Sequence, residues 1–94
     1  MTSLDVIAGK IIEEQELVIG PLAWTEAGKV QGLQIDRAHH SATINGGDPK
    51  ETVNRLVSQY ERLFGQASRE VCRDAVASLL TTLAPADIPS SLVA

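Results

Sequence analysis

Aromatic side chains are nearly missing from this sequence, which holds only Trp24, Tyr60 and Phe64. Any core must therefore be aliphatic, and a chain that is 44% apolar but 3% aromatic suits helices better than sheets. Cysteine is as scarce. A single Cys72 cannot close an internal disulfide, and the opening "MTSLDVIAG" lacks the basic flank and apolar run of a secretory signal, so a cytoplasmic, reducing location is expected. Long apolar runs are absent too: "LVIGPLAW", Leu17 to Trp24, falls far short of the roughly 20 residues that span a bilayer. No membrane partner is expected. Basic charge is in deficit, with 12 acidic against 8 basic side chains and a net charge of −4, which repels phosphate backbones and anionic lipid surfaces. Nucleic acid is not an expected partner.

What is present is helical patterning. From Ser3 to Val30 the positions Leu4, Ile7, Ile11, Val18 and Leu22 recur at helical spacing, widened by Ile12, Ile19, Ala23, Ala27 and Val30, with Ser3 as N-cap. Gly20-Pro21 lies inside this stretch, and a proline there removes a backbone donor, so a kink or break near Ile19 is predicted. After Gly28 and Gly32 the period switches to two. Leu33 and Ile35 share one face and Ala42 and Ile44 another, giving two short strands joined across Arg37–His40 as an antiparallel hairpin. Then "GGDPKE" starts a helix: Asp48 caps, Pro49 takes the first helical position and Glu51 stands three residues past the cap.

From Val53 through Leu56, Val57, Tyr60, Leu63, Phe64, Ala67, Val71, Ala75, Leu79 and Leu83 the helical period runs on to Pro85. At 1.5 Å per residue such a helix reaches about 50 Å, too long for so small a domain, so either Gly65 bends it or a second subunit covers it. "APADIPSSLVA" has two prolines and no period and reads as an extended tail, from which Leu92 and Val93 remain free to dock. A weak internal echo aligns Glu16 with Glu61 and Gly20 with Gly65.

No catalytic signature stands out. His39 and His40 are adjacent at the hairpin tip, where neighbours point apart, and no Cys-x-x-Cys, H-E-x-x-H or Glu-x-x-His motif completes a metal sphere, so both are expected to be exposed loop residues. Glu13, Glu14 and Glu16 lack the histidine partner of a helical-bundle metal site and read as a solvated face, which Glu26 and Asp74 do not change. Cys72, at the margin of the apolar stripe, is expected to pack, although Arg69 and Arg73 nearby would favour a thiolate. Arg55, Arg62 and Arg69 recur every seven residues but are interleaved with Glu51, Glu61, Glu70 and Asp74, a flanking pattern that tunes helix pairing. Gly46-Gly47 precedes a helix N-terminus without P-loop or dinucleotide spacing, and Asp48 already fills the anion position.

The expected fold class is α+β and helix-dominated: two long amphipathic helices joined by a two-stranded antiparallel hairpin, with residues 1–84 as one helix-hairpin-helix domain and 85–94 as an extended tail. That element order is similar to the opening half of the small roadblock-type adaptor modules, in order alone and without a diagnostic motif, so no function is taken from it. The expected function is a small cytoplasmic, non-enzymatic interaction or oligomerisation module without cofactor, catalytic residue or metal. The alternative is a sensory or ligand-binding regulator with an apolar pocket near Trp24, Tyr60 and Phe64. Self-association is expected as a homodimer or higher even oligomer through Leu56, Leu63, Ala67, Val71 and Leu79, because a 94-residue chain buries only about two thirds of its unfolded surface and a lone hairpin is marginal. A further protein partner is expected, of unspecified identity.

Overall fold

Two glycines set where the helices stop. In the computed structural model, which describes residues 3–92, α1 (Ser3–Ile19) ends at Gly20, whose φ of 74° is open to glycine at little cost. Pro21, fixed at φ −57°, then opens the short α2 (Leu22–Ala27). The break predicted at Gly20-Pro21 is present. The cap expected at Ser3 falls on a side chain outside the described residues.

The hairpin follows as β1 (Leu33–Asp36) and β2 (Ser41–Ile44), antiparallel, with Leu33 opposite Ile44 and Ile35 opposite Ala42. Leu33 and Ala42 are buried and Ile35 and Ile44 half-buried, while Gln34 and Thr43 face water. The covering layer is α1, which packs on β2 and whose Asp5 Oδ1 accepts from the Ile44 N–H at 2.9 Å. The hairpin thus has an apolar roof within its own chain.

Asp48 starts α3 (Pro49–Phe64) as its pattern predicts, its carboxylate accepting from the Lys50 N–H at 3.0 Å. The second long helix does not run on to Pro85. At Gly65 the backbone takes φ 90° and ψ 178°, and a separate helix α4 (Gln66–Leu80) begins at the next residue and packs back against α3. The molecule measures 32 × 26 × 20 Å, too small for a 50 Å rod. Of the two resolutions of the excess length, the bend at Gly65 is the one the chain adopts.

The extended tail is also corrected. Pro85–Asp87 and Ser90–Leu92 form two 3₁₀ turns, and the second packs against α3 and α4 with Leu92 buried. Asn54 holds it, accepting at Oδ1 from the Ser91 N–H (3.0 Å) and Ser91 hydroxyl (2.6 Å), while Lys50 donates to the Ala86 carbonyl at 2.8 Å. Docking Leu92 removes apolar surface that an extended tail would leave in water. Val93 lies outside the described residues.

One aliphatic core joins these parts: Ile7, Ile11 and Ile12 from α1, Ala23 and Trp24 from α2, Leu33 and Ala42 from the hairpin, Val53, Leu56, Val57 and Tyr60 from α3, Cys72 and Val76 from α4. The class is α+β, helix-dominated, with four helices and a two-stranded antiparallel sheet among the described residues. No described helix is long and apolar enough to cross a membrane.

Candidate functional site

At the hairpin turn both histidines are exposed, as expected, and each is committed to a different neighbour. His39 Nδ1 lies 2.7 Å from Asp36 Oδ2, and its backbone N–H donates to Oδ1 of the same carboxylate at 3.3 Å. The hydrogen bond from His39 holds the Asp36 carboxyl below its usual range. His40, with φ 48°, stacks on Trp24 with ring centroids 5.1 Å apart and planes 29° from parallel. Trp24 itself is buried, and Arg37 donates to the Thr25 hydroxyl beside it. The sequence marked these histidines as loop residues but gave no sign of the stack, because Trp24 precedes His40 by an irregular stretch that no periodicity spans.

The carboxylates do not converge. Lys10 lies 3.3 Å from Glu14 and 4.0 Å from Glu13 along α1, and Glu26 sits apart on α2. Among the described residues no group of three or more His, Cys, Asp or Glu side chains is placed to hold a metal ion. Glu26 is 8% exposed and accepts from Lys29 Nζ at 3.0 Å and Gln59 Nε2 at 2.9 Å, tying α2 to α3. Those two hydrogen bonds, Lys29 first, lower its pKa.

Cys72 is buried beneath α1, where Gln15 Nε2 donates to its Sγ at 3.3 Å and to the Ser68 carbonyl at 2.9 Å. Burial pushes the thiol up to about 11, the reverse of the activation that Arg69 and Arg73 would bring. Both arginines are engaged elsewhere, Arg69 3.8 Å from Glu61 and Arg73 3.0 Å from Glu70. The arginine line is broken up as well: Arg55 donates to the Gln31 carbonyl at 3.5 Å and Arg62 to Gln59 Oε1 at 2.7 Å, beside an open groove of about 530 Å³ that also contains Glu51 and Glu61.

The five residues expected at an interface are placed apart. Leu56 is fully buried in the core, Leu79 and Val71 are half-buried, and Leu63 and Ala67 are exposed on either side of Gly65. The space near Trp24, Tyr60 and Phe64, expected as a ligand pocket, is packed: Trp24 and Tyr60 are core residues, and the Tyr60 hydroxyl donates to the Ala23 carbonyl at 2.7 Å. A groove of about 420 Å³ lies elsewhere, between α1 (Val6, Gly9), the strand start (His40, Ala42) and α4 (Ala75, Leu79).

The unexplained surface is apolar, and apart from Val6 near the start of α1 it falls on residues that flank the two glycine corners. Leu17 is 80% exposed and Val18 65%, with Leu22 and Leu63 at 45% and Phe64 at 36%. Tyr60 fastens the start of α2 to the last turns of α3, and Gln15 fastens the last turns of α1 to the first turn of α4, so both glycine corners are at the same end of the molecule. Between α1 and α4 lies a groove of about 360 Å³ lined by Leu17, Val18, Val71 and Ala75 and by the carboxylates Glu14 and Asp74. Sequence reading placed Val18 and Leu22 in the buried stripe, because periodicity does not tell how far along α1 its partner helix reaches.

No family model matches this chain, and no curated protein or solved structure resembles it at a significant level.

Proposed function

We propose that this chain is a small, non-enzymatic interaction module that acts in the cytoplasm and self-associates through the end where the two glycine corners meet. The observation that carries this reading is the adjacent pair Leu17 and Val18, 80% and 65% exposed, with Leu22, Leu63 and Phe64 also exposed around the two corners. Single exposed leucines are ordinary on soluble proteins, but two adjacent, highly exposed aliphatics with more at the facing corner favour a partner that removes them from water. Binding rather than catalysis fits a buried thiol held protonated and histidines already engaged by Asp36 and Trp24. Light scattering coupled to size exclusion, at tens to hundreds of micromolar chain, is expected to give twice the 10.0 kDa chain mass or a larger even multiple. Leu17→Glu should return the single-chain mass with unchanged helical circular dichroism. A parent protein that stays monomeric at those concentrations ends the reading.

A second reading, a ligand-binding regulator, draws on the groove of about 420 Å³ beside Val6, Ala42 and Leu79, which falls in the size range of small-molecule sites. Native mass spectrometry of the purified chain tests it, and a retained non-protein mass lost on Leu79→Lys would favour it over the first.

A further inference from the structure

Resting on the self-association reading, we propose that the last turn of α3 in one copy, Arg62-Leu63-Phe64, seats in the groove between α1 and α4 of a second copy, and reciprocally. The groove offers an apolar lining, Leu17, Val18, Val71 and Ala75, with two carboxylates, Glu14 and Asp74, on its rim. Among the described residues Asp74 enters no ion pair, and Glu14 shares Lys10 with Glu13, so the rim keeps net negative charge. The occupant therefore has to be apolar with a cation beside it.

The last turn of α3 has that composition. Leu63 and Phe64 are exposed and do not line the groove of their own copy. Arg62, next to them, is exposed and spends one N–H on Gln59 Oε1 at 2.7 Å, leaving most of its five donors for carboxylates. Within one copy the two features sit at the same end, separated by the Gly65 corner. A two-fold axis through that end puts each Arg62-Leu63-Phe64 turn against the other copy's groove, satisfying both at once and closing the assembly. Filling the groove desolvates Leu17 and Val18, the most exposed large aliphatics among the described residues, and sets Arg62 beside Asp74 and Glu14.

Charge reversal on the full chain tests the register, with dissociation constants from sedimentation and helical content from circular dichroism. Arg62→Glu sets like charges against the rim twice per dimer, and Asp74→Arg does the same from the other side, so each should weaken association by about tenfold or more. The double variant R62E/D74R re-forms the pair with the signs exchanged and should recover most of the parent affinity. Both sites are exposed, so neither change strains the fold. If the single variants bind like the parent while Leu17→Glu dissociates it, the self-association reading stands and this register is wrong. If the singles weaken and the double does not recover, the Arg62–Asp74 pairing is wrong. If the parent is monomeric, both readings fall together.

Discussion

The Gly20 corner and the Gly65 corner stop their helices alike and then diverge. In each, the glycine N–H donates to a glutamate carbonyl four residues back, Glu16 or Glu61, at 2.8 Å. In each, apolar side chains just before the glycine, Leu17 and Val18 or Leu63 and Phe64, stand exposed. After Gly20, φ 74°, the proline supplies a pre-set helical φ and a short helix resumes two residues later. After Gly65, φ 90° and ψ 178°, the backbone is extended for one residue and α4 starts at once in a new direction. After both corners the following helix packs against the one before it, α2 on α1 and α4 on α3, so the difference lies in the backbone route and not in the outcome. Positive φ at a glycine ends a helix; the backbone that follows decides the route.

The comparison breaks most sharply at the glycines themselves. A Cβ added at either position meets no atom within 4 Å, so any cost is one of backbone conformation alone. Gly65 occupies a region that is essentially closed to other residues, and Gly65→Ala should cost about 1–3 kcal/mol. Gly20 has a positive φ of 74°, and Gly20→Ala should cost about 1 kcal/mol. Urea unfolding of the two variants side by side checks the order, and equal losses would mean that the corners are the same device.

The second contrast lies in the buried ties. Tyr60 fastens the first corner through a fully satisfied bond to the Ala23 carbonyl, and Tyr60→Phe should cost about 1 kcal/mol. Gln15 fastens the second corner through Nε2, but its buried Oε1 has no partner, so Gln15→Leu removes a bond and an unpaired acceptor together. Its effect should stay within about 0.5 kcal/mol, since apolar replacement of an incompletely satisfied polar group can be nearly neutral. Thermal melts of both variants decide the ranking, and a larger loss at Gln15 overturns it.

The smallest expected effect concerns pH and touches the first corner only. Glu26 has a lowered pKa through Lys29 and then Gln59, so the folded state holds that proton less tightly than the unfolded chain. Its contribution is therefore present above the unfolded carboxyl pKa and is lost as pH falls through the folded value. Glu26→Gln should flatten the acidic limb of a stability-against-pH curve and leave the neutral region nearly level. An unchanged acid limb would show that the ties between α2 and α3 do not depend on that charge.

These corners also mark how far the sequence could be read. Gly20-Pro21, the hairpin around Arg37–His40 and the Asp48 start are legible because each is local, a few residues whose conformational preferences leave one outcome. The break at Gly65 is ambiguous in the sequence because the apolar stripe continues through it: Leu63 and Phe64 precede it and Val71, Ala75 and Leu79 follow, yet the residues α4 buries against the core are Cys72 and Val76, one step round the helix, because α4 starts afresh after Gly65 and packs on α1. Leu92 and its clasp on Asn54 leave no periodic trace, since a docked 3₁₀ turn has neither helical nor strand spacing. The exposed end is the least legible part. Val18 looks like core in the sequence and stands 65% exposed, because the neighbouring helix does not cover the last turn of α1.

Cys72 turns the contact between α1 and α4 into something with a rate. Its sulfur is sealed beneath Gln15, and a thiol with a pKa of about 11 carries almost no thiolate near neutrality, so a disulfide reagent in solution finds neither access nor a nucleophile while the two helices stay together. Reaction has to wait for α1 to lift away, and its pace then follows the population of that open form. The chain thus carries one internal stopwatch, set at the seam that joins its first helix to its last, on which partial opening can be timed apart from complete unfolding.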